Sequence, residues 1–238
     1  MVAGLFRDAG YFMGDHLFSP KPSNPLGFFE DREVNATNER ILAPHLPRPV
    51  RHNDMAYLSD APTFGQAWLA RLPTGHKIEA DAEAARRIEA LTGRRPFCFK
   101  DPRFSYTLHL WRGSAEPCRF VCVFRDPGDV IASILKECRT ALYLYSHAIS
   151  VVQATEVWYW SYRSILENHA REGEWFFLSY KDAFDQRCLE RLSDFAGTEI
   201  DTSFPRPDLE RSRDSFDFTE NVTSLYDALK ARAAACMR

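Results

Sequence analysis

The sequence lacks a net positive charge and a long apolar run, and each absence excludes a class of protein. The 238 residues include 30 Lys and Arg against 33 Asp and Glu, a formal charge of −3. No global basic field is therefore available, and we expect no nucleic acid partner. No apolar run approaches the roughly 18 residues needed for a membrane span. The first residues also lack the basic-then-apolar order of a signal peptide, so we expect no membrane span and a cytoplasmic location.

Paired cysteines and metal-binding spacings are absent as well. The pattern CxxC does not occur, and neither does HxxxH or HExxH, so we expect no metal and reduced cysteines packed in the core. Repeats of solenoid length and low-complexity tracts are also missing. The six cysteines are Cys98, Cys118, Cys122, Cys138, Cys188 and Cys236.

What is present favours one α/β domain over residues 1–238, because 45% of the chain is hydrophobic and its length permits a sizeable core. Apolar runs at 96–100, 119–125 and 174–180 are typical of buried strands. They alternate with helical segments, so the pattern predicts a parallel sheet in three layers, flanked by helices on both faces. Helices are expected at 2–13, 33–42, 63–72, 81–92, 147–170 and 219–234, and a surface loop is expected at 201–218.

Two of the predicted strands end in the same way. "CFKDPR" and "VFRDPG" both place a cation after the strand, at Lys100 and Arg125, and then an Asp-Pro dipeptide. Asp is a good N-cap and Pro is favoured in the first helical position, so each dipeptide should begin a helix. Ligands of open parallel sheets bind beyond the carboxyl ends of the strands, and helix N-termini favour anions. The two cations together predict an anion site.

Ser133 lies seven residues after the expected cap Asp126, about two helical turns. Its hydroxyl could share a phosphate group with Arg125. The alternative is that Arg125 pairs with Asp129 and that Ser133 is a solvated helix residue. Spacing alone leaves both interpretations open.

The segment "RDPGDVIAS" resembles the one with which sulfotransferases hold the 3'-phosphate of 3'-phosphoadenosine 5'-phosphosulfate (PAPS). The stretches "MGDHLFSPKPSNPLGFFED", "FKDPR" and "FFLSYKDAF" also look like bacterial members of that family, so the resemblance covers most of residues 2–185. It implies the P-loop NTPase-like sulfotransferase fold, PAPS as co-substrate and sulfuryl transfer to a hydroxyl or amine. Arg125 and Ser133 would be cofactor residues.

The chain departs from the family at one point. The family's first strand ends in a loop of the type Pro-Arg-Ser-Gly-Thr-Ser, which holds the 5'-phosphosulfate, and no such loop occurs here. The segment from Val2 to Phe6 matches the helix that should follow that loop. We therefore expect an N-terminally truncated fold, with Met1 an internal methionine and the start placed too late.

The resemblance also implies the catalytic residues. Lys100 would stabilise the charge that develops on the leaving phosphate, with a salt bridge as its alternative role. Glu30 would be the base that takes the acceptor's proton, because it follows the first helix much as the catalytic glutamate of the tyrosine sulfotransferases does, and Phe28 and Phe29 flank it with apolar surface. A solvated loop carboxylate is its alternative role. Asp31 is the nearest competitor, and His16 the next.

Two further arginines are weaker candidates for the cofactor site. Arg103 would touch a cofactor oxygen, or would lie on a helix surface, and Arg211 in "LERSR" is similar to a late family segment near the nucleotide. His109 is expected to be a packing residue. The aromatic residues around Trp158 would line an acceptor pocket or belong to the core.

The acceptor would be a small molecule, a carbohydrate or a peptide-like group. The sequence supplies no Walker loop with its lysine, which a nucleotide kinase would need. One alternative to a sulfotransferase therefore stays open: a catalytically degenerate domain of the same fold that binds a nucleotide or a protein without chemistry.

Overall fold

A computed structural model describes residues 2–21, 24–48, 59–206 and 216–238. Over these residues the chain is α/β, with a two-stranded parallel sheet of β1 (Arg119–Phe124) and β2 (Glu174–Ser179). The register pairs Arg119 with Glu174 and Phe124 with Ser179. The described part of the chain also contains seven α-helices: α1 (Arg32–Leu42), α2 (Ala82–Thr92), α3 (Phe104–Ala115), α4 (Pro127–Thr140), α5 (Val151–Ser164), α6 (Gln186–Ala196) and α7 (Glu220–Cys236).

Helices cover both faces of the sheet. On one face, Phe176 and Leu178 pack against the N-terminal 3-10 turn and against α6. On the other face, Phe124 and Phe177 pack against Trp158 of α5 and Leu229 of α7. Alternate residues of a strand point to opposite faces, so the two strands contribute to two cores. Among the helices that the structure describes, none has the length and apolarity to cross a lipid bilayer.

The predicted strands at 119–125 and 174–180 are confirmed, but the expected third strand at 96–100 does not form. Phe97 makes only an isolated parallel bridge with Phe12, in which Phe12 N–H donates to the Pro96 carbonyl at 2.8 Å and Cys98 N–H donates to the Phe12 carbonyl at 2.9 Å. Proline has no N–H to donate, so the pairing cannot extend through Pro96. Over the described residues, the observed sheet therefore has two strands rather than the three predicted.

Four predicted helices are confirmed, with small changes at their ends. Those expected at 33–42, 81–92 and 219–234 correspond to α1, α2 and α7. The helix expected at 147–170 begins later, at Val151, and its last turn is a π-helix, Ile165–His169.

Two other predicted helices are wrong. Residues 2–13 form only a 3-10 helix at Val2–Phe6, and residues 63–72 form only a 3-10 turn at Ala67–Leu69. Gly65 has a φ of 86°, in the left-handed region, which interrupts a right-handed helix at this point. Apolar spacing therefore predicted the buried face of the segment but not its backbone.

The two Asp-Pro dipeptides behave differently. Pro127 is the first residue of α4, and the Asp126 carboxylate accepts a hydrogen bond from a backbone N–H of the first turn, as predicted. After Asp101 and Pro102 the chain first makes a turn, and α3 begins only at Phe104.

The predicted loop at 201–218 lies partly outside the described residues. Its described parts, 201–206 and 216–218, contain no helix or strand. Phe204, however, is buried against the N-terminal 3-10 turn, so this part of the loop is anchored in the core. All six cysteines are free thiols, and Cys122 and Cys188 are buried.

Candidate functional site

Arg125 stands at the carboxyl end of β1, where the predicted anion site begins. Its guanidinium lies 4.7 Å from the centre of the Tyr180 ring, and its Nη2 is 3.9 Å from the Asp129 carboxylate. That distance is too long for a hydrogen bond. Within the described residues, its Nε is buried without a hydrogen-bond partner. The guanidinium is thus held by one loose ion pair and one ring face, and its hydrogen-bonding capacity is not used up.

The crevice around Arg125 is small. It encloses about 20 Å³, room for about one water molecule. It is lined by Arg125, Asp126, Asp129, Ser179, Tyr180, Lys181 and Tyr226. Ser133 is exposed on α4 and does not line it. The geometry is that of the alternative interpretation, an Arg125–Asp129 pair with a solvated Ser133, and a phosphate group would have to displace Asp129.

Glu30 and Lys100 are brought together by the fold. The Lys100 ammonium donates a short hydrogen bond to Glu30 Oε1, although 70 residues separate them in sequence. The Glu30 side chain is 12% exposed, while that of Lys100 is 44% exposed. Phe29, just before Glu30, has a φ of 53°, a left-handed conformation rare for a residue with a side chain. The two predicted catalytic residues therefore form one acid–base pair at the surface end of a buried network.

Asn35 of α1 connects this pair to the interior. Its Nδ2 donates to Glu30 Oε2 and to Asp101 Oδ2, both at 3.2 Å. The side-chain amide has two N–H groups, and each is used by one carboxylate. Sequence reasoning missed Asn35. The available signal was a polar residue in the second turn of a helix that starts next to Glu30.

Arg103 lies in the interior. Its Nε donates a short hydrogen bond to Glu39, its Nη1 donates to Asp101 Oδ1 at 3.1 Å, and its Nη2 donates to the Gly65 carbonyl at 3.4 Å. Burial alone would lower the pKa of Arg103, but the two carboxylates more than reverse this and raise it, so the guanidinium stays charged.

The side chain of Arg103 is 3% exposed, so the alternative of a surface arginine is wrong. The predicted contact with a cofactor oxygen is not available in this arrangement either, because the protein's own oxygens occupy the donors. Arg103 instead ties α1 and the Gly65 turn to the start of α3.

Asp31, the competing base, is the N-cap of α1. Its Oδ1 accepts from the backbone N–H groups of Glu33 and Val34, and its Oδ2 accepts from the His16 backbone at 2.9 Å. Gly14 passes so close that a Cβ there would lie 2.2 Å from the Asp31 Cβ. Asp31 is buried and fully hydrogen-bonded, which leaves Glu30 as the carboxylate with access to solvent. His16 is exposed in the loop.

The remaining predicted residues lie elsewhere. Arg211 is outside the described residues. Trp158 and Tyr162 donate to the carbonyls of Arg125 and Val123, at 3.3 and 3.0 Å, and pack on the sheet as core residues. His109 Nε2 donates to the Ile78 carbonyl at 2.9 Å, and its ring stacks on that of His169. His109 thus has a packing role, as expected, although it is exposed.

One aromatic contact closes the loop at 14–31 against the rest of the protein. The Lys21 ammonium lies 5.7 Å from the centre of the Phe28 ring and 5.2 Å from that of Tyr143. Burial is the main reason that the pKa of Tyr143 is raised to about 12. This phenol is therefore neutral at physiological pH and provides a ring face rather than a charge.

A wider cavity of about 280 Å³ opens at the 72–79 segment, against α3 and the π-helix. None of the predicted site residues lines it. Glu79, Lys77, His76 and His109 do line this cavity, but the segments that resemble the sulfotransferase motifs contain Glu30 and Lys100, which a hydrogen bond joins, so we place the candidate chemistry there. In the described chain, no group of three or more His, Cys, Asp or Glu side chains is placed to hold a metal ion.

Comparison of the chain with protein-family models, with curated proteins and with solved structures finds no significant match. Two side-chain clusters, Glu30–Lys100 and Arg125–Asp129, and the motifs that contain them are therefore the features that bear on function.

Proposed function

We propose that the protein is a PAPS-dependent sulfotransferase of the P-loop NTPase-like sulfotransferase fold. The observation that carries the proposal is the pairing of Glu30 with Lys100. Sulfuryl transfer needs a base for the acceptor's proton and a cation for the leaving phosphate. The fold brings one candidate of each kind together from two distant segments, and both segments carry the sulfotransferase-like motifs.

The reaction divides between the two side chains. The acceptor's hydroxyl or amine gives its proton to the Glu30 carboxylate while its oxygen or nitrogen bonds to sulfur. The bond between sulfur and the bridging phosphate oxygen breaks, and Lys100 stabilises the negative charge on that oxygen. In the unliganded protein the two groups neutralise each other, so cofactor binding has to draw Lys100 away from Glu30. The exposure of the lysine side chain permits this movement.

Arg125 is proposed to hold the 3'-phosphate of the cofactor. Ser133 does not line the crevice and is proposed to contact the same phosphate only once Asp129 has been displaced. The Asp129 carboxylate now occupies the position of an anion beside the guanidinium, at 3.9 Å. A phosphate offers more acceptor oxygens and could also engage the buried Nε. Tyr180 supports the guanidinium from the other side.

The acceptor is proposed to be a small molecule, a carbohydrate or a peptide-like group, and not a nucleic acid. Lys21 and Phe28 of the loop that leads to Glu30, together with Tyr143 of the 3-10 turn Leu142–Leu144, supply a cation and two ring faces. Ring faces of this kind accept flat or sugar-like groups. The site of action is proposed to be the cytoplasm.

Calorimetric titration with adenosine 3',5'-bisphosphate tests the cofactor claim. Wild type should bind, and Arg125→Ala should weaken binding by roughly tenfold to a hundredfold, because a hydrogen bond to a charged group contributes about 1.5–3 kcal/mol. Arg139→Ala is the matched control. Arg139 is exposed on α4, the helix that follows Arg125, and its Nε donates to the Leu135 carbonyl of that helix. Equal weakening by both variants, or no binding by folded wild type, would refute the assignment.

Release of the bisphosphate from PAPS in the presence of an acceptor panel tests the chemistry. Transfer that disappears in Lys100→Met supports the proposal. If the nucleotide binds in an Arg125-dependent way but no acceptor is ever sulfated, the degenerate domain is the better account. The Arg125–Asp129 and Glu30–Lys100 pairs, which occupy the reactive groups in the unliganded protein, are the observations that favour this second candidate.

A further inference from the structure

Six side chains form a continuous polar chain from the interior to the surface. The order is Glu39, Arg103, Asp101, Asn35, Glu30 and Lys100. Glu39 and Arg103 are 2% exposed, and exposure increases toward Lys100. Asn35 is the one neutral member, and it lies between two carboxylates.

We propose that Asn35 is a positioning residue for Glu30, an inference that rests on the proposed sulfotransferase function. Among the residues that the structure describes, the Glu30 carboxylate has two hydrogen-bonding partners, one on each oxygen. Lys100 is long, flexible and substantially exposed, and the proposed reaction requires it to turn toward the phosphate. Once Lys100 has turned away, Asn35 is the partner that still holds the Glu30 carboxylate toward the acceptor.

The geometry makes Asn35 a rigid support. The residue is 8% exposed on α1, and its second N–H is anchored to the Asp101 carboxylate. Asp101 is in turn fixed by Arg103 through Oδ1, at 3.1 Å to Nη1 and at 2.8 Å to the backbone N–H. Side chains locked by buried hydrogen bonds hold a reacting group in place more accurately than mobile ones.

The contact is not required to begin or end the helix. The first N–H groups of α1 are capped by Asp31, and the Asn35 backbone N–H makes an ordinary helical bond to the Asp31 carbonyl at 3.0 Å. The side chain of Asn35 is thus free of a capping duty. Its two donors serve only the two carboxylates.

Two variants separate the hydrogen bonds from the shape of the side chain. Asn35→Ala removes both donors, and Asn35→Asp keeps the size but places a third acceptor between two carboxylates. Asn168→Ala is the control. Asn168 lies in the π-helix, and its amide donates to Ser164 Oγ at the end of α5 rather than to Glu30. Circular dichroism establishes that each variant is folded, and Asn35→Ala serves alone if the aspartate variant is not.

Two readouts are measured. In sulfuryl transfer, Asn35→Ala should lower kcat about tenfold, the effect of one hydrogen bond to a charged group, with the KM for PAPS unchanged. Asn35→Asp should lower kcat further. In the free protein, carbodiimide-driven amidation of the Glu30 carboxyl, followed by mass spectrometry, should rise several-fold in Asn35→Ala and stay at the wild-type level in Asn168→Ala.

The second readout does not depend on the activity. Unchanged amidation of Glu30 in Asn35→Ala overturns the positioning role, whatever the kinetics show. Increased amidation with unchanged kcat also overturns it, because the carboxylate is then held without effect on the reaction. If amidation of Glu30 increases in Asn35→Ala but wild type transfers no sulfuryl group, the proposed function is overturned instead, and with it the catalytic meaning of the contact.

Discussion

Two carboxylates hold Arg103 in the interior of the protein, one from α1 and one from the turn before α3. Glu39 also accepts from the backbone N–H groups of Gly65 and Ala67, at 2.8 and 3.0 Å. Each charge in this cluster is paired and hydrogen-bonded, which offsets the large cost of removing it from water. Removing one member would leave the others buried without compensation.

Arg103→Met should therefore destabilise the protein by about 3–5 kcal/mol, the range found when a buried ion pair loses one partner. Urea denaturation followed by circular dichroism measures the change. Arg86→Met is the control, because Arg86 is 74% exposed and pairs with Glu83 on the surface of α2. Its unfolding midpoint should stay near that of wild type. If Arg103→Met lost as little stability as the control, the cluster would not be a structural support.

Sequence reasoning placed Arg125 correctly, at the end of β1, and named Asp129 as its alternative partner. It placed Lys100 at the end of a strand that does not form. The pairing of Lys100 with Glu30, by contrast, depends on how the loop at 14–31 folds back. The burial of Arg103 depends on Glu39, which lies 64 residues away. Contacts over such separations leave no trace in the local spacing of residues, and only the family resemblance suggested Glu30.

At the scale of elements, the π-helix Ile165–His169, which continues α5, ends in a buried histidine. The Ala170 N–H donates to the Ile165 carbonyl at 2.8 Å, and the wider turn directs the His169 ring inward. His169 Nε2 donates to the Ser105 carbonyl at 3.0 Å, and the ring stacks on His109. Burial, followed by the nearby positive groups His109 and Arg112, lowers the pKa of His169 to about 4.

This shift predicts a loss of stability in mild acid. Between the ordinary pKa of 6.5 and the folded value of about 4, the unfolded chain binds a proton that the folded protein does not. Stability is therefore fully present above pH 6.5 and falls as the pH decreases toward 4. The difference between these two pKa values of His169 corresponds to about 3 kcal/mol of unfolding free energy.

The measurement is urea denaturation of wild type and His169→Gln at pH 7 and pH 4.5. The difference between the two pH values should be smaller in His169→Gln, whose amide can still donate to Ser105. His16→Gln, a change to an exposed loop histidine, controls for the removal of a histidine elsewhere. An identical pH dependence in all three proteins would contradict the assignment.

Elements with local stop and start signals were predictable, and those without them were not. The Asp-Pro dipeptide predicted where α4 begins, and Asp81 and Gly93 predicted both ends of α2. The strand predicted at 96–100 does not form, because a strand needs a neighbouring strand to pair with. Here the described chain offers only one bridge, at Phe12, and this tertiary contact cannot be read from the local sequence. The same reasoning applies to the segment at 63–72, where Gly65 has a left-handed backbone.

At the scale of the whole molecule, the sheet depends on α7 to close one face. Val222, Leu229 and Ala233 of this helix are buried against Cys122, Phe124 and Phe177 of the strands. The Phe177 N–H also donates to Cys236 Sγ at 3.3 Å, near the end of the helix. A two-stranded sheet has little stability of its own, so we expect the cores on its two faces to unfold as one cooperative unit.

Leu229→Ala should therefore weaken the whole fold rather than α7 alone. Leu229 is fully buried, and deletion of such a side chain typically costs about 2–5 kcal/mol. Leu142→Ala is the matched control, because Leu142 is 89% exposed and should tolerate the same change. Urea unfolding is followed by far-UV circular dichroism, which reports all helices, and by tryptophan fluorescence, which includes Trp158 beside the same core. In Leu229→Ala both transitions should shift together to lower urea. If the fluorescence midpoint shifted to lower urea while the circular dichroism midpoint did not change, α7 would unfold as a separate unit. The expected cooperative unfolding would then be wrong.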